Sequence, residues 1–413
     1  MIDMLVLKIP VDYSLVDVTD DGKHAILGFD LLDLDLKVGS YDVYKNEDGE
    51  VKHKVLKHSY EKLPTSYTKM AFKFYHEGSY FPYVELKASP AKILQGHNVY
   101  GSDVIEQGVL EMLGYLATSQ PTLYGMLAVS ETEVQQIDIT YSARLKDDKQ
   151  VEQVKEFLRN VTTQHIRKST KECSYQNTIY FGSSRCKRFA RKVYGKKKEF
   201  DTQLKEYEYL AKLNDQNAKR VFNAMSCPKL QKWATGLLRF ESGVKAYVMK
   251  EKGIPTNVFE LIRYQRENPK FTQEIWAKSF EQIFEALKGT AMKATDHDSV
   301  FDHLCSVYET VTKSGRRSIT KARNLFNFYC ALETHGVNGM KSKFGQRQFY
   351  QNMADLVNAG YSKAFLQNLH IESKNNVVPF LKFVEIKFDE QLPPDFVEPV
   401  SQFNEGSFAR LAS

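Results

Sequence analysis

Cysteine is scarce in this chain. Cys173, Cys186, Cys227, Cys305 and Cys330 are scattered over 413 residues without a CxxC pair, which argues against a disulfide scaffold or a structural zinc cluster. No apolar run is long enough to span a bilayer. The opening MIDMLVLKIPVDYSLVDV carries Asp3, Lys8 and Asp12 and lacks both a basic leader and a small-residue cleavage site. It reads as a first strand rather than a signal peptide, and a reducing cytoplasm suits the chain. GxGxxG, P-loop, HExxH and nucleophile-elbow motifs are missing, which counts against a dinucleotide enzyme, a nucleotide-driven motor and an esterase. There is no His-x-His pair, no fixed-period repeat and no low-complexity tract.

What is present is ordinary in bulk and uneven in distribution. Hydrophobic residues make up 42% and charged residues 26%, the balance of a soluble globular protein, and the length suggests two or three domains. The net charge of +6 is modest. Yet RCKRFARKVYGKKKEF, residues 185–200, places eight basic residues and no acid between Arg185 and Lys198. A one-signed field over a cleft steers polyanions.

The first 90 residues read as strand-rich. YDVYKNEDGEVKHKV sets a DG turn between alternating runs, and MAFKFYHEGSYFPYVELKA holds a second hairpin. SDVIEQGVLEMLGYLA predicts an amphipathic helix from Ser102 or Asp103, VQQIDITYSARL a strand, and DKQVEQVKEFLRNV a helix with Val151, Val154, Phe157 and Leu158 on one stripe. NTIYFGSS and KRFARKVYG are strand-like, KKKEFDTQLKEYEYLAKLND is a charged helix, and TGLLRFESGVKAYVMKEKG is another strand candidate. The fold class expected is therefore α+β: a mixed or antiparallel sheet domain over 1–250, a helical connection over 251–291 and a mainly helical module over 292–413. The break falls in GTAMKATDHDS, residues 289–299. Generic helical packing is the expectation for the tail, with a helix-turn-helix as the alternative.

Three carboxylates share a setting: Glu85 in YVELKA, Asp138 in QQIDITY and Glu241 in LLRFESGVK. Each stands opposite an apolar strand face. Carboxylates from neighbouring strands can gather a hard cation such as Mg²⁺ or Mn²⁺; half-buried strands also have polar outer faces for no such reason. His97, in LQGHNVYG, is a loop histidine with a ligand or a turn role open to it. Tyr194, beside Lys196 and five residues before Glu199, is a candidate nucleophile whose phenolate a lysine or a cation would stabilise. Tyr180 in TIYFG is its rival, and with 23 tyrosines in the chain core packing competes with both.

MIDMLVLKIP, ELKASPAKILQGHNV, IDITYSAR, LLRFE and NNVVPFLKF together resemble the gene II replication initiators of filamentous bacteriophages, from end to end. TIYFGSSRCKRFARKVYGKKKE is also similar to the tyrosine segment of plasmid rolling-circle initiators, with one residue more between Arg191 and Tyr194 and an added serine before Arg185. The resemblance implies a site-specific, ATP-independent nickase and strand-joining enzyme. It would cut the viral strand of supercoiled replicative-form origin DNA in the host bacterial cytoplasm, leave a 3′-hydroxyl for host polymerase, partner the host helicase, and rejoin the displaced single strand. It implies Tyr194 as nucleophile. The residues themselves point to Lys196 in support, to Asp138 and Glu199 as leading ligands for Mg²⁺ or Mn²⁺ with Glu85, His97 and Glu241 in the same centre, and, with the P-loop missing, to no nucleotide cofactor. Arg185, Lys187, Arg188, Arg191, Lys192, Lys197 and Lys198 are the expected DNA contacts. Met292 stands where the family's internal start lies. The alternative is a noncatalytic origin-binding initiator that recruits host replication proteins.

Overall fold

The computed structural model describes the chain except residues 21, 29–30, 46–47, 161–176, 183–185, 187, 289–296, 312–316, 375–383, 385 and 404–413. Arg185, Lys187 and Met292 lie outside the described residues. Eight strands form one antiparallel sheet: β1 (Ile2–Pro10), β2 (Glu61–Leu63), β3 (Met70–Tyr75), β4 (Tyr83–Ala88), β5 (Glu133–Arg144), β6 (Thr178–Phe181), β7 (Phe189–Gly195) and β8 (Leu237–Lys245). Their order is β6-β7-β8-β5-β1-β4-β3-β2. The DG turn forms the separate hairpin Val38–Lys45 with Val51–His58, and β3 pairs with β4 as the second.

Alternation decides which face each residue takes. Phe72, Phe74, Val84, Leu86, Leu5, Leu7, Ile9, Ile137, Ile139, Phe240 and Val244 enter one hydrophobic core. Helices α1 (Pro90–Gln95), α2 (Glu106–Ser119), α3 (Asp148–Asn160) and α4 (Lys196–Lys212) lie between these strands in sequence. Helix α2 starts at Glu106 rather than at Ser102 or Asp103, and β8 stops at Lys245, where AYVMKE becomes a short helix. The segment read as a connection contributes to the same core: α5 (Phe271–Lys288) buries Trp276 and Phe280 against Phe240, and the Trp276 indole donates to the Phe240 carbonyl at 2.9 Å. A second core, around Leu325, Phe328, Tyr329, Leu332, Phe349 and Leu366, holds the C-terminal helices. Gln391 reaches back to bond both the amide and the carbonyl of Ser142. No helix among the described residues is long and apolar enough to cross a membrane.

Gly236 sets the entry to β8. Its φ is +69°, and a Cβ there would meet the Leu145 carbonyl oxygen at 2.4 Å. Gly236→Ala is therefore expected to cost about 2 kcal/mol of stability, read as a lower urea midpoint; an unchanged midpoint would remove this turn as a constraint on β8.

Candidate active site

On the face of the sheet away from the main core, the strands β1, β5, β8 and β7 collect charges that are buried. Register pairs Tyr194 with Arg239 and Lys192 with Glu241, and places Gly243 opposite Asp138, which in turn faces Met4. Gly243 is required by proximity: a Cβ there would lie 2.8 Å from an Asp138 carboxylate oxygen. A pairing irregularity between Ile2 and Met4 places Asp3 in the same cluster. Burying charge is costly unless partners compensate, so a strand carrying Arg239 at 1% and Glu241 at 2% exposure points to something other than stability.

The contacts form two linked groups. In the first, the Tyr194 hydroxyl donates to Glu241 Oε2 at 3.2 Å, and Lys192 Nζ lies 2.7 Å from Glu241 Oε1. Gln136 donates to Asp138, and Lys245 donates to Gln136. In the second, Lys196 Nζ donates to Asn98 Oδ1 at 2.7 Å and to Glu199 at 3.1 Å, while the Asn98 amide donates to Asp3 at 2.7 Å. Arg239 donates to the carbonyls of Asn98 and Val99 and stands 3.9 Å from Asp3. Its Nε and Nη1 are buried with no hydrogen-bond acceptor among the described residues, which suits them to an anion. A cleft of about 310 Å³ opens over both groups, lined by Asp3, Lys92, Asn98, Tyr180, Lys192, Tyr194 and Glu199 among others.

The electrostatics follow from burial. Desolvation, then the charges of Asp3 and Glu241, push the Tyr194 phenol well above its usual range, with Arg239 opposing. Burial and the neighbouring Asp3 carboxylate raise Glu241, with Lys192 pulling against them; burial also raises Asp138. Burial and then the Arg239 guanidinium bring Lys196 down to about 7. Burial brings His97 down to about 3, leaving a neutral imidazole at neutral pH.

The turn from β7 into α4 is what places Glu199. The strand ends at Gly195 and the helix begins at Lys196, so Glu199 lines the same cleft as Tyr194, which continued alternation would have prevented. Gly195 has φ −77°, so its contribution is space rather than an unusual backbone: a Cβ would meet Val151 at 2.9 Å.

The other expected residues divide. Asp138 and Glu241 come together, whereas Glu85 does not join them. It faces Lys8, four residues along β1 from the Met4 that faces Asp138, and is held by Tyr60 and by Lys87 at 2.6 Å. His97 packs on the Tyr100 ring, beside Lys196 rather than beside Asp138. Among the described residues, no three His, Cys, Asp or Glu side chains converge as a metal-binding group. Of the five expected ligands, Asp138 and Glu241 thus lie together on adjacent strands, Glu199 lines the Tyr194 cleft from α4, and His97 and Glu85 stand apart from them.

The basic run is also split. Alternation turns Lys192 and Tyr194 to the cleft and Arg191 to the helical side, where it donates to the Ser279 carbonyl at 2.8 Å. Arg188 pairs with Glu251 at 2.7 Å and Lys197 with Asp201. Lys198 is exposed and, with Lys197 and Lys205, lines a neighbouring cleft of about 360 Å³. Lys198→Gln should accordingly flatten the salt dependence of duplex binding by about 1 in log–log slope. Arg191→Gln should lower thermal stability and leave that slope unchanged; a flattened slope for Arg191→Gln would return it to the DNA surface.

The sequence alone does not single out Arg239, Asp3 or Asn98 as site residues. Of the three, Arg239 carries a usable signal, since it alternates with Glu241 in LLRFE.

The family model for the N-terminal region of the gene II replication-associated protein matches residues 1–267, and that for its C-terminal region matches 311–402. The chain is 37% identical to the replication-associated protein of Salmonella phage IKe, over 100% of this chain and 99% of that protein. It is 35% identical to the proteins of the same name from Enterobacteria phages fd and M13, over 97% of this chain and 99% of theirs. No solved structure matches it at a significant level.

Proposed function

The chain belongs to the gene II replication-associated protein family of filamentous phages, and is a phage replication initiator of that type. From this premise we propose that it nicks and rejoins origin DNA through Tyr194. The observation that supports this best is the Tyr194 hydroxyl donating to the buried Glu241 beside a cleft lined by Lys92 and Lys192 as well as by Asp3 and Glu199.

A phenol held so far above its usual pKa is a poor nucleophile unless its proton has somewhere to go. Glu241 is that acceptor, and its own raised pKa strengthens it as a base. In the reaction proposed, Tyr194 Oη attacks the scissile phosphorus and its proton passes to Glu241. The bond from phosphorus to the 3′-oxygen breaks, the 3′-oxygen leaves with its electron pair and takes a proton from water in the cleft, and the 5′-phosphate remains on the tyrosine. Attack by a 3′-hydroxyl on that ester reverses the step and rejoins the strand without a nucleotide cofactor. Arg239, ion-paired to Asp3 and adjacent to the Tyr194 hydroxyl, and Lys192 would supply positive charge where negative charge develops on the phosphoryl oxygens.

Mg²⁺ or Mn²⁺ is the cofactor proposed. Asp138, a buried carboxylate on the strand next to that of Glu241, would hold it: Mg²⁺ commonly takes one or two carboxylates plus substrate phosphate and water, and Glu241 is kept for the Tyr194 proton. Such an ion polarises the phosphodiester and supports the leaving oxygen. Asp138→Asn is expected to raise the Mg²⁺ concentration needed for half-maximal cleavage about tenfold while DNA affinity holds; superimposable metal titrations would remove Asp138 from the site. The overall test is incubation of purified protein with supercoiled origin plasmid and Mg²⁺. Relaxed, nicked product supports the enzyme, and intact supercoil over a range of metal, salt and protein concentrations supports a noncatalytic origin binder.

A further inference from the structure

The same face of the sheet carries a second feature beyond the cleft, on β1, β4, β3 and the residues around β2. Register brings Lys8 opposite Glu85, Lys73 opposite Glu85, Tyr75 opposite Tyr83 and Lys62 opposite Ala71. Between them the alternate residues Ile9, Val84, Leu86, Phe72 and Phe74 are buried in the core. The outward positions are therefore fixed by the pleat. Tyr75 and Tyr83 stack with ring centroids 4.5 Å apart and planes at 16°, and Tyr80 stands edge-on to both at 5.8 and 5.9 Å. Lys73 lies 4.4 Å over Tyr75, Lys8 4.6 Å over Tyr83, and Lys87 4.6 Å over Tyr60. Tyr60 and Tyr80 are 47% and 41% exposed.

A solvated outer face usually mixes both charge signs with small polar residues. Here four tyrosines are contiguous, and the lysines Lys8, Lys62, Lys73 and Lys87 share the face with the carboxylates Glu85 and, opposite Lys8 on β5, Glu133. Rings framed by cations are what a sequence-tolerant single-strand surface is made of: Tyr60 and Tyr80 present exposed ring surface to a base, Tyr75 and Tyr83 form the stacked pair beneath them, and Lys8 and Lys73 bring positive charge for the phosphates.

The feature is also connected. A groove of about 540 Å³, lined by Lys62, Lys69, Lys87, Lys92 and Tyr207 among others, runs between this face and α4. It shares Met4, Ser89 and Lys92 with the Tyr194 cleft. From Tyr83 to Ser89 the path along β4 is about 20 Å, room for several nucleotides of an extended strand.

We infer that the face formed by Tyr60, Tyr75, Tyr80 and Tyr83 with Lys8, Lys73 and Lys87 is a docking platform for single-stranded DNA, holding the strand that continues into the Tyr194 cleft. The direction into the cleft rests on the nicking function proposed above; the platform itself does not.

The experiment is fluorescence anisotropy of the full chain, carrying Tyr194→Phe to prevent covalent capture, with a labelled oligo(dT) and a blunt duplex of equal length. Tyr75→Ala and Tyr83→Ala should each weaken oligo(dT) binding about tenfold or more and leave the duplex nearly unchanged. Tyr75→Phe, which keeps the ring, should bind oligo(dT) as its parent does, and thermal melts identify any variant that has unfolded. Lys73→Gln should reduce the magnitude of the oligo(dT) salt slope by about 0.7. Equal losses on single strand and duplex would make the face a general phosphate surface, and unchanged oligo(dT) affinity in folded Tyr75→Ala would overturn the platform. The two proposals fail separately: absence of a wild-type Tyr194 adduct leaves the platform standing if Tyr75→Ala still loses oligo(dT).

Discussion

Replacing Tyr194 with phenylalanine is expected to abolish both nicking of supercoiled origin DNA and the covalent protein–DNA adduct, with a rate loss of at least about a thousandfold. The ring stays, so the packing that keeps this residue 7% exposed is retained, and the hydroxyl's hydrogen bond to Glu241 is lost together with its contact to Arg239. That loss is worth about 1 kcal/mol, so origin binding and the melting temperature should change little. Tyr180 provides the control. It faces Lys192 across the register and lines the same cleft, but among the described residues no hydrogen bond to a buried carboxylate is seen for it. Tyr180→Phe should keep part of both activities. Mass spectrometry of an adduct trapped on a short origin oligonucleotide reads the attachment site directly. A nucleotide-modified peptide containing Tyr180 in place of Tyr194 would transfer the role.

Much of the sheet was legible because its strands obey a period of two and their turns carry the residues that turns need. The DG hairpin and the β3–β4 pair follow from that alone. Helix α5 was legible as a helix but not as a layer of the first core, since no local pattern says which surface Trp276 and Phe280 will cover. The site was legible in its chemistry and not in its grouping. Glu85, Asp138 and Glu241 look alike in sequence, each a carboxylate among apolar neighbours. Only the register shows that Asp138 and Glu241 share one end of the sheet while Glu85 lies along β1 among tyrosines and lysines. Arg191 and Lys192 are adjacent cations on opposite faces, a distinction that a charge count does not make. Asp3 read as a charge interrupting an apolar start. Its partner Asn98 is 95 residues away, so the contact that brings it into the site is invisible without the fold.

The Glu241→Gln variant separates catalysis from stability. Glutamine keeps the shape and can still meet the Tyr194 hydroxyl, but it cannot take the proton, so single-turnover nicking should fall by about 100-fold or more. Stability should move the other way. Burial and the Asp3 carboxylate raise the folded-state pKa of Glu241 even after Lys192 has drawn it down. An acid raised in this way favours the fold while protonated, below its unfolded pKa, and that contribution is lost as pH rises through the folded-state value. As pH rises above the unfolded-state value the wild-type carboxylate is therefore driven toward the form the fold disfavours, and glutamine removes that penalty. Melting curves from pH 5 to 9 should show wild type losing stability toward the alkaline side and Glu241→Gln losing less, so the variant is the more stable of the two at pH 9. Lys192 limits the gain, since it loses the carboxylate 2.7 Å away, but Asp138 and Asp3 still act on it. A variant that nicks normally would strip Glu241 of its proton-accepting role. One that is inactive and also less stable than wild type at every pH would show instead that Glu241 serves the fold as the anchor of Lys192. The expected pairing, lower activity with higher alkaline stability, is what a carboxylate kept buried for chemistry must produce.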